Sequence, residues 1–484
     1  HSFLKTRSRT SYIDAQNYPS PAFDVASVAA NIVDASAGLS DYAIESYFAR
    51  LSLAYKDRYV VNATIRTDGS SRFAPDCRWG WFPSVSVGWN VSNESFWNAE
   101  KTDLKIRASY GRTGNQDGIS NYGWQALISG GVNYGGQSGI AISSSGNDRL
   151  TWETADQYNA GFDLSFLGGK INMIADVYLK NTNNLLYSKP VHATTGETSI
   201  LSNIGSMRNK GVEFTINTHL NLGKVLWSSS FNIARNVNKL TSLLEDDLLS
   251  IGANRALKLG RTVGSWYIFR TDGISQYDGE VPQALYDKGV RAGDVKYWDR
   301  NGDGNITDDD RIVTGNPNPK FSGGWNNTFK YKGLELSLFF TYSYGNDVYA
   351  SWMIPGSKPG HTRSLLKAYA DNRWTGPGTS DKYPRAIYSY SGWNGKNSTM
   401  YLTDGSFIRL RSVTLGYTFP QRLVSKIHLK GLRVYAHGDN VFLCSRYPGW
   451  DPETSVNLDP RFYGEDNDGV PQPRIFKLGV NITF

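Results

Sequence analysis

The sequence predicts an all-β fold, a transmembrane antiparallel β-barrel wall, and three observations carry that reading. Apolar and polar residues alternate with a period of two over stretches of about ten residues, repeated along the chain. Connections between these stretches alternate between short and long. No apolar run approaches the ~18 residues that a membrane helix needs, while aromatics make up 13% of the 484 residues and glycine supplies 49 of them. A wall with lipid on one side and water on the other requires strands that are apolar on one face only.

The stretch Arg474 to Phe484 shows the alternation best. Phe476, Leu478, Val480, Ile482 and Phe484 share one face, and Lys477, Gly479, Asn481 and Thr483 share the other. Tyr47–Tyr55 sets Tyr47, Ala49, Leu51, Leu53 and Tyr55 against Arg50, Ser52 and Ala54. Tyr59–Arg66, Val85–Trp89, Leu104–Tyr110, Phe162–Phe166, Ile171–Val177, Val212–Ile216 and Trp227–Ile233 repeat the pattern. Phe321–Tyr331, Leu334–Tyr344, Ile408–Phe419 and Leu432–Val441 complete it. About 13 strands are clear, and Ala256–Arg270 reads as a further hairpin that brings the number to about 15. Residues 1–44 show little alternation and read as a loop leading into the barrel portion at 45–484.

Short links fall at Lys56–Arg58, Leu167–Lys170, Asn221–Lys224 and Lys332–Gly333. Long ones fall at 113–152, 181–208, 236–320 and 345–405. Outer-membrane barrels place short turns on the periplasmic side and long loops outside. If the last strand ends in the periplasm and the turn after Tyr55 is periplasmic, an odd number of strands spans 45–484. Closed bacterial barrels have even counts, so parity asks for strands outside this chain. The chain also opens on His1 rather than Met, as a piece of a longer polypeptide would.

Other classes find little support. The formal charge is +7, spread along the chain without a block of like charges, so nothing points to nucleic acid. Cys77 and Cys444 form no CxxC spacing, and two free thiols are favoured over a distant disulfide. The N-terminus has no secretory pattern. Six histidines are scattered without HExxH, no Gly-x-Ser-x-Gly elbow sits between strand and helix, and the Asp246-Asp247 pair lies in a loop. No catalytic residue is assigned and no enzyme activity is expected.

One motif does carry metal chemistry. Asp299-Arg-Asn301-Gly-Asp303-Gly304-Asn305 continues through Ile306 to Asp310. Oxygen ligands stand at loop positions 1, 3 and 5, glycine at 6 and a carboxylate at 12, the spacing with which a loop wraps calcium. Asp299, Asn301, Asp303, Asn305 and Asp310 are the candidate ligands, with Asp310 shorter than the usual glutamate. The alternative is an acidic surface turn without metal. Arg50, Arg66, Arg107, Arg409 and Arg411 alternate onto the polar face, where a solvated wall explains them as well as ligand contact does. Trp124, Tyr134, Trp374, Tyr388, Tyr390 and Trp393 lie in long loops and suit either ligand stacking or loop packing. Substrate-binding residues are not assigned.

Several stretches resemble one family. They are Arg66-Thr-Asp68-Gly69-Ser70-Ser71-Arg72-Phe73, Arg78-Trp79-Gly80-Trp81-Phe82-Pro83-Ser84 and Gly88-Trp89. Leu150-Thr-Trp152-Glu153, Asn203-Ile-Gly205 through Gly211-Val-Glu213, Gly293-Asp294-Val-Lys-Tyr297, Gly315-Asn-Pro317, Asp404-Gly405-Ser406-Phe407 and the terminal Phe484 follow in order. Together they are similar to the SusC/RagA-like TonB-dependent transporters of Bacteroidetes outer membranes, over nearly the whole chain. The resemblance implies a barrel of about 22 strands closed by an N-terminal plug, with this chain its C-terminal portion and the plug absent from it. It implies active import of glycans or peptides, driven by TonB–ExbB–ExbD through that missing region. It also implies a SusD-like surface lipoprotein as partner and a dimer of such pairs, set in the outer-membrane lipid of a Gram-negative bacterium. A passive porin or structural outer-membrane barrel is the alternative, and a soluble carbohydrate-binding β-protein is a third.

Overall fold

The computed structural model describes residues 1–98, 102–192, 194, 196–243, 247–356, 364–387 and 392–484. Its main element is a 15-stranded antiparallel sheet. Fourteen strands follow one another in chain order. They are β1 (Ser2–Gln16), β2 (Asn31–Tyr55), β3 (Tyr59–Ser70), β4 (Ser84–Asn90), β5 (Thr102–Asn115), β6 (Glu153–Phe166) and β7 (Ile171–Asn183). Then come β8 (Ser206–Leu222), β9 (Val225–Ser242), β10 (Phe321–Tyr331), β11 (Leu334–Tyr344), β12 (Phe407–Thr418), β13 (Gly431–Ser445) and β14 (Ile475–Thr483). The fifteenth, Trp79–Trp81, pairs back onto β3 at Thr67–Gly69. No helix among the described residues is long and apolar enough to cross a membrane.

The faces follow the predicted alternation. On β14, Phe476, Leu478, Val480 and Ile482 are 48–88% exposed, an uncovered apolar stripe that water alone disfavours. Val434 and Phe442 on β13, Ile408 and Leu415 on β12 and Trp325 on β10 are exposed in the same way. The opposite face carries ion pairs. Glu335 of β11 receives Lys330 at 3.1 Å and Arg433 at 2.9 Å, and Asp439 receives His437 at 2.8 Å and Lys477 at 3.0 Å.

Turn chemistry sets the short links. Lys332 and Gly333 take φ of 47° and 89°, the left-handed pair that a two-residue hairpin demands. A Cβ on Gly333 would lie 2.4 Å from the Thr418 carbonyl oxygen, so only glycine fits there.

Two expectations are corrected. Residues 1–44 are not a lead-in loop: β1 pairs with Asn31–Ser46 over its full length. Its apolar residues come in adjacent pairs, Phe3-Leu4, Tyr12-Ile13 and Ile32-Val33, which fall on opposite faces and leave no period of two. The thirteen strands from β2 to β14 are the odd number expected over 45–484, and β1 is a further strand that precedes them. Second, Ala256–Arg270 adds no wall hairpin. Arg255–Lys258 and Trp266–Phe269 belong to a separate four-stranded sheet with Leu248–Ile251 and Arg311–Thr314.

The chain divides into two compact units. In the unit of residues 1–89, 107–159 and 180–207, Phe73, Phe82, Ile119, Leu150 and Trp152 form a buried cluster. Cβ atoms on Gly80 and Gly114 would sit 2.4 and 2.2 Å from the Phe82 ring. The Trp152 indole donates to the Arg78 carbonyl at 2.9 Å. Asn203 accepts from Thr151 N–H and donates to its carbonyl, both at 2.8 Å.

The unit of residues 90–106, 160–179 and 208–484 carries a loop module. Asp347–Ala350 is the middle strand of a three-stranded sheet, antiparallel to Leu402–Asp404 and parallel to Glu465–Asp466. Connections 243–320, 345–406 and 446–474 thus interleave. Their shared core holds Trp266, Ile268, Val348, Tyr349, Ala350, Met353, Tyr401 and Tyr447.

Candidate functional site

The chemistry-bearing residues gather in that loop module. Arg255 is wholly buried and lies 4.2 Å from the Trp266 ring. Its guanidinium donates to the carbonyls of Phe462 at 3.2 Å and Tyr463 at 3.0 Å and to that of Gly264. Burial lowers its pKa to about 10, so it remains cationic at neutral pH and staples two connections through carbonyls. Asp294, 2% exposed, receives Arg385 on both oxygens at 2.9 and 3.0 Å and Asn394 at 3.0 Å. Beside it, Gly293 takes φ of 87°, and a Cβ there would meet the Trp374 ring at 2.4 Å. The Gly293-Asp294 motif is therefore a clamp between two connections.

The acidic loop is closed by its own main chain. Asp299 accepts from the N–H groups of Gly302 at 2.7 Å and Gly304 at 2.8 Å. Asp303 accepts from Asn305 N–H at 2.7 Å, and Asn301 from Asp303 N–H at 3.1 Å. Asn305 accepts from Lys288 at 2.8 Å. Asp310, fully buried, accepts from Arg300 N–H at 2.9 Å and Thr307 N–H at 2.8 Å. Among the described residues, no three His, Cys, Asp or Glu side chains stand together in metal-holding geometry. Each carboxylate oxygen keeps a lone pair beyond the bond drawn here, so the donor set still suits a hard cation.

The arginines separate. Arg66 pairs with Asp68 at 2.8 Å and reaches Ser46 at 3.1 Å. Arg50 is exposed and Arg107 half-buried in their strands. Arg409 is 3% exposed, 2.5 Å from Asp451 and 2.7 Å from Glu453. Arg411 is skipped in the register with both neighbouring strands; this bulge directs it to the same Glu453 at 2.7 Å. These two arginines anchor the 446–474 connection to β12.

The predicted loop aromatics mostly pack. Trp124 donates to the Ser71 carbonyl at 3.2 Å, Trp374 to Gln276 at 3.2 Å, and Trp393 to the Val295 carbonyl at 2.9 Å. Tyr134 is 91% exposed, and Tyr388 and Tyr390, like Asp246, lie outside the described residues. A cleft that the sequence reading did not single out lies elsewhere in the module. It is a cavity of about 530 Å³ lined by Trp352, Leu366, Trp450, Asp466, Asp468 and Val470 among others. Trp450 stands 82% exposed at its mouth. Trp352 donates its indole N–H to the Tyr447 hydroxyl at 3.0 Å, which in turn donates to Asp466 at 2.5 Å. Burial, and then that carboxylate, push the Tyr447 hydroxyl far above its ordinary pKa. The sequence marks 446–474 with no motif, so Trp450 carries no signal there.

An antiparallel sheet with an uncovered apolar face and long, interleaved connections defines a membrane β-barrel class. Residues 4–305 match the family model described as TonB dependent receptor-like, beta-barrel, and the chain belongs to that family. It is 35% identical over 467 residues to a TonB-dependent receptor of Formosa agariphila, covering 92% of this chain and 46% of the relative. It is 31% identical over 464 residues to the TonB-dependent receptor SusC of Bacteroides thetaiotaomicron, covering 91% and 43%. The chain thus spans about half the length of these relatives. The solved RagAB peptide transporter shares the fold, with a TM-score of 0.85 at 22% identity over 100% of this chain and 52% of that one.

Proposed function

We propose that this chain is the barrel portion of a SusC-like importer in the outer membrane, drawing glycans or peptides inward with energy from TonB–ExbB–ExbD. The observation that carries the reading is the 31–35% identity to TonB-dependent receptors, SusC among them, over more than nine-tenths of the chain. The exposed apolar stripe on β14 supports the membrane setting over a soluble carbohydrate-binding protein. A SusD-like lipoprotein at the outer loops, and a dimer of such pairs, complete this reading, with the family resemblance as their support. In this reading the chain does no covalent chemistry. The test uses the full-length gene in its own cell: deletion abolishes growth on one class of oligosaccharide or peptide, and disabling TonB does the same. Growth that survives loss of TonB but not of the gene would favour the passive porin.

The loop at 299–310 takes calcium in this proposal, with Asp299, Asn301, Asp303, Asn305 and Asp310 as ligands, and the ion supplies a structural staple. Support comes from the ligand spacing and from the closed form of the loop, in which Asp299 accepts the Gly302 and Gly304 N–H groups and Asp303 that of Asn305. Calcium added to the full-length protein should protect this loop from protease at micromolar to millimolar concentration, and Asp303→Ala should remove the protection. Identical cleavage with calcium and with chelator sinks the idea.

A further inference from the structure

The cleft between the 345–406 and 446–474 connections has an unusual balance of hydrogen-bonding groups. Its side-chain acceptors are carboxylates, Asp466 at the buried floor and Asp468 at the exposed rim. Asp466 is 4% exposed and is held in place by the Tyr447 hydroxyl and by Gly469 N–H at 2.8 Å. Among the described residues that line the cleft, the side-chain donors are the two indoles, and Trp352 has given its N–H to Tyr447. Among the described residues, no lysine or arginine lines the cleft. The nearby Arg409 and Arg411 are committed to Asp451 and Glu453.

That combination selects a chemistry. A sugar hydroxyl donates and accepts, so a sugar site offers both kinds of partner. An ammonium or guanidinium donates only and is served by carboxylates and by the electron-rich faces of tryptophans. The volume, about 530 Å³, holds such a side chain together with flanking peptide backbone. Trp450, unusually exposed for an indole, supplies a face for the ligand to cover.

We propose that this cleft is a cation subsite that captures a lysine or arginine side chain of a peptide. The inference rests on the import reading above and narrows its cargo to peptides bearing a basic residue. Asp468 draws the charge in, Asp466 receives it at the floor, and the two indoles flank the aliphatic stem and the cationic head.

Binding is read by tryptophan fluorescence and calorimetry on the full-length protein in detergent. The probes are acetyl-Ala-Lys-Ala-amide, its glutamate counterpart and maltoheptaose. The lysine peptide binds about tenfold or more tightly than the glutamate peptide, and the preference shrinks as salt is raised. Asp468→Asn and Trp450→Ala each weaken the lysine peptide by roughly five- to thirtyfold, while Trp450→Phe retains part of the affinity. Heat-modifiable gel migration verifies that each variant is folded. Equal affinity for the two peptides overturns the proposal, and so does maltoheptaose binding that depends on Trp450 and Asp468. TonB-dependent uptake without a lysine preference removes this inference and leaves the import reading standing. A lysine preference that persists without TonB-dependent uptake supports the subsite and removes the import reading.

Discussion

Asp347 lies at the entry to the middle strand of the three-stranded loop sheet, directly opposite Asp404 in register. Its carboxylate accepts the main-chain N–H of Asn316 at 2.8 Å, while the Asn316 side chain accepts the Asn318 N–H at 2.9 Å and so accounts for the asparagine in the Gly315-Asn-Pro317 motif. Burial first, and the Asp404 charge in addition, raise its pKa above the ordinary value near 3.8. The folded state therefore holds this proton more tightly than the unfolded chain. The resulting stability is full below about 3.8 and is lost as pH rises through the raised value. Hydrogen exchange of residues 347–350 and 402–404 should accordingly speed up as pH climbs through that window, after correction for intrinsic rates. Asp347→Asn, which keeps an acceptor for Asn316, should flatten the dependence. A variant with the wild-type pH profile would assign the effect to another group.

At the scale of elements, the strands owe their stability to pairing and their placement to one apolar face. Leu478 on β14 is 88% exposed among Phe476, Val480 and Ile482, whereas Lys477 reaches Asp439 from the opposite face. Leu478→Arg should cost about 2–4 kcal/mol in a lipid-embedded barrel if the site lies near the midplane, and less toward the rim. Lys477→Ala should cost under about 1 kcal/mol. Urea titration of the protein folded into vesicles measures both. A reversed order would put the wrong face of β14 in lipid. These strands were legible in the sequence because each residue reports its own face. β1 was not, since Lys5 to Thr10 is polar on both faces and the pairs Phe3-Leu4 and Tyr12-Ile13 put one apolar residue on each.

Across the whole molecule, motifs that carry the family resemblance act as joints. Gly80 of the Trp79–Trp81 stretch makes room for Phe82 and Trp152, and Asp294 binds Arg385 across two connections. Asp294→Ala leaves Arg385 and Asn394 without their buried partner, a loss of about 3–5 kcal/mol by analogy with other broken buried pairs. The expected result is fast proteolytic nicking near 364–387 with the heat-modifiable barrel intact; resistance equal to wild type would show that the clamp is dispensable. The candidate site was only partly legible. The acidic loop announced itself by spacing, but the Trp352–Trp450 cleft unites residues from two connections, and no local pattern encodes that meeting.

The parallel pairing of Asp347–Ala350 with Glu465–Asp466 has a consequence for biogenesis. Ser351 takes its partner, Asp466, from 115 positions further along the chain. Until that late segment arrives, Val348, Tyr349 and Ala350 present a half-satisfied, greasy edge to whatever is nearby. The loop module is thus a knot tied last. Exchange of a single loop between paralogues would leave it untied, so the three loops should pass between relatives only as an indivisible set.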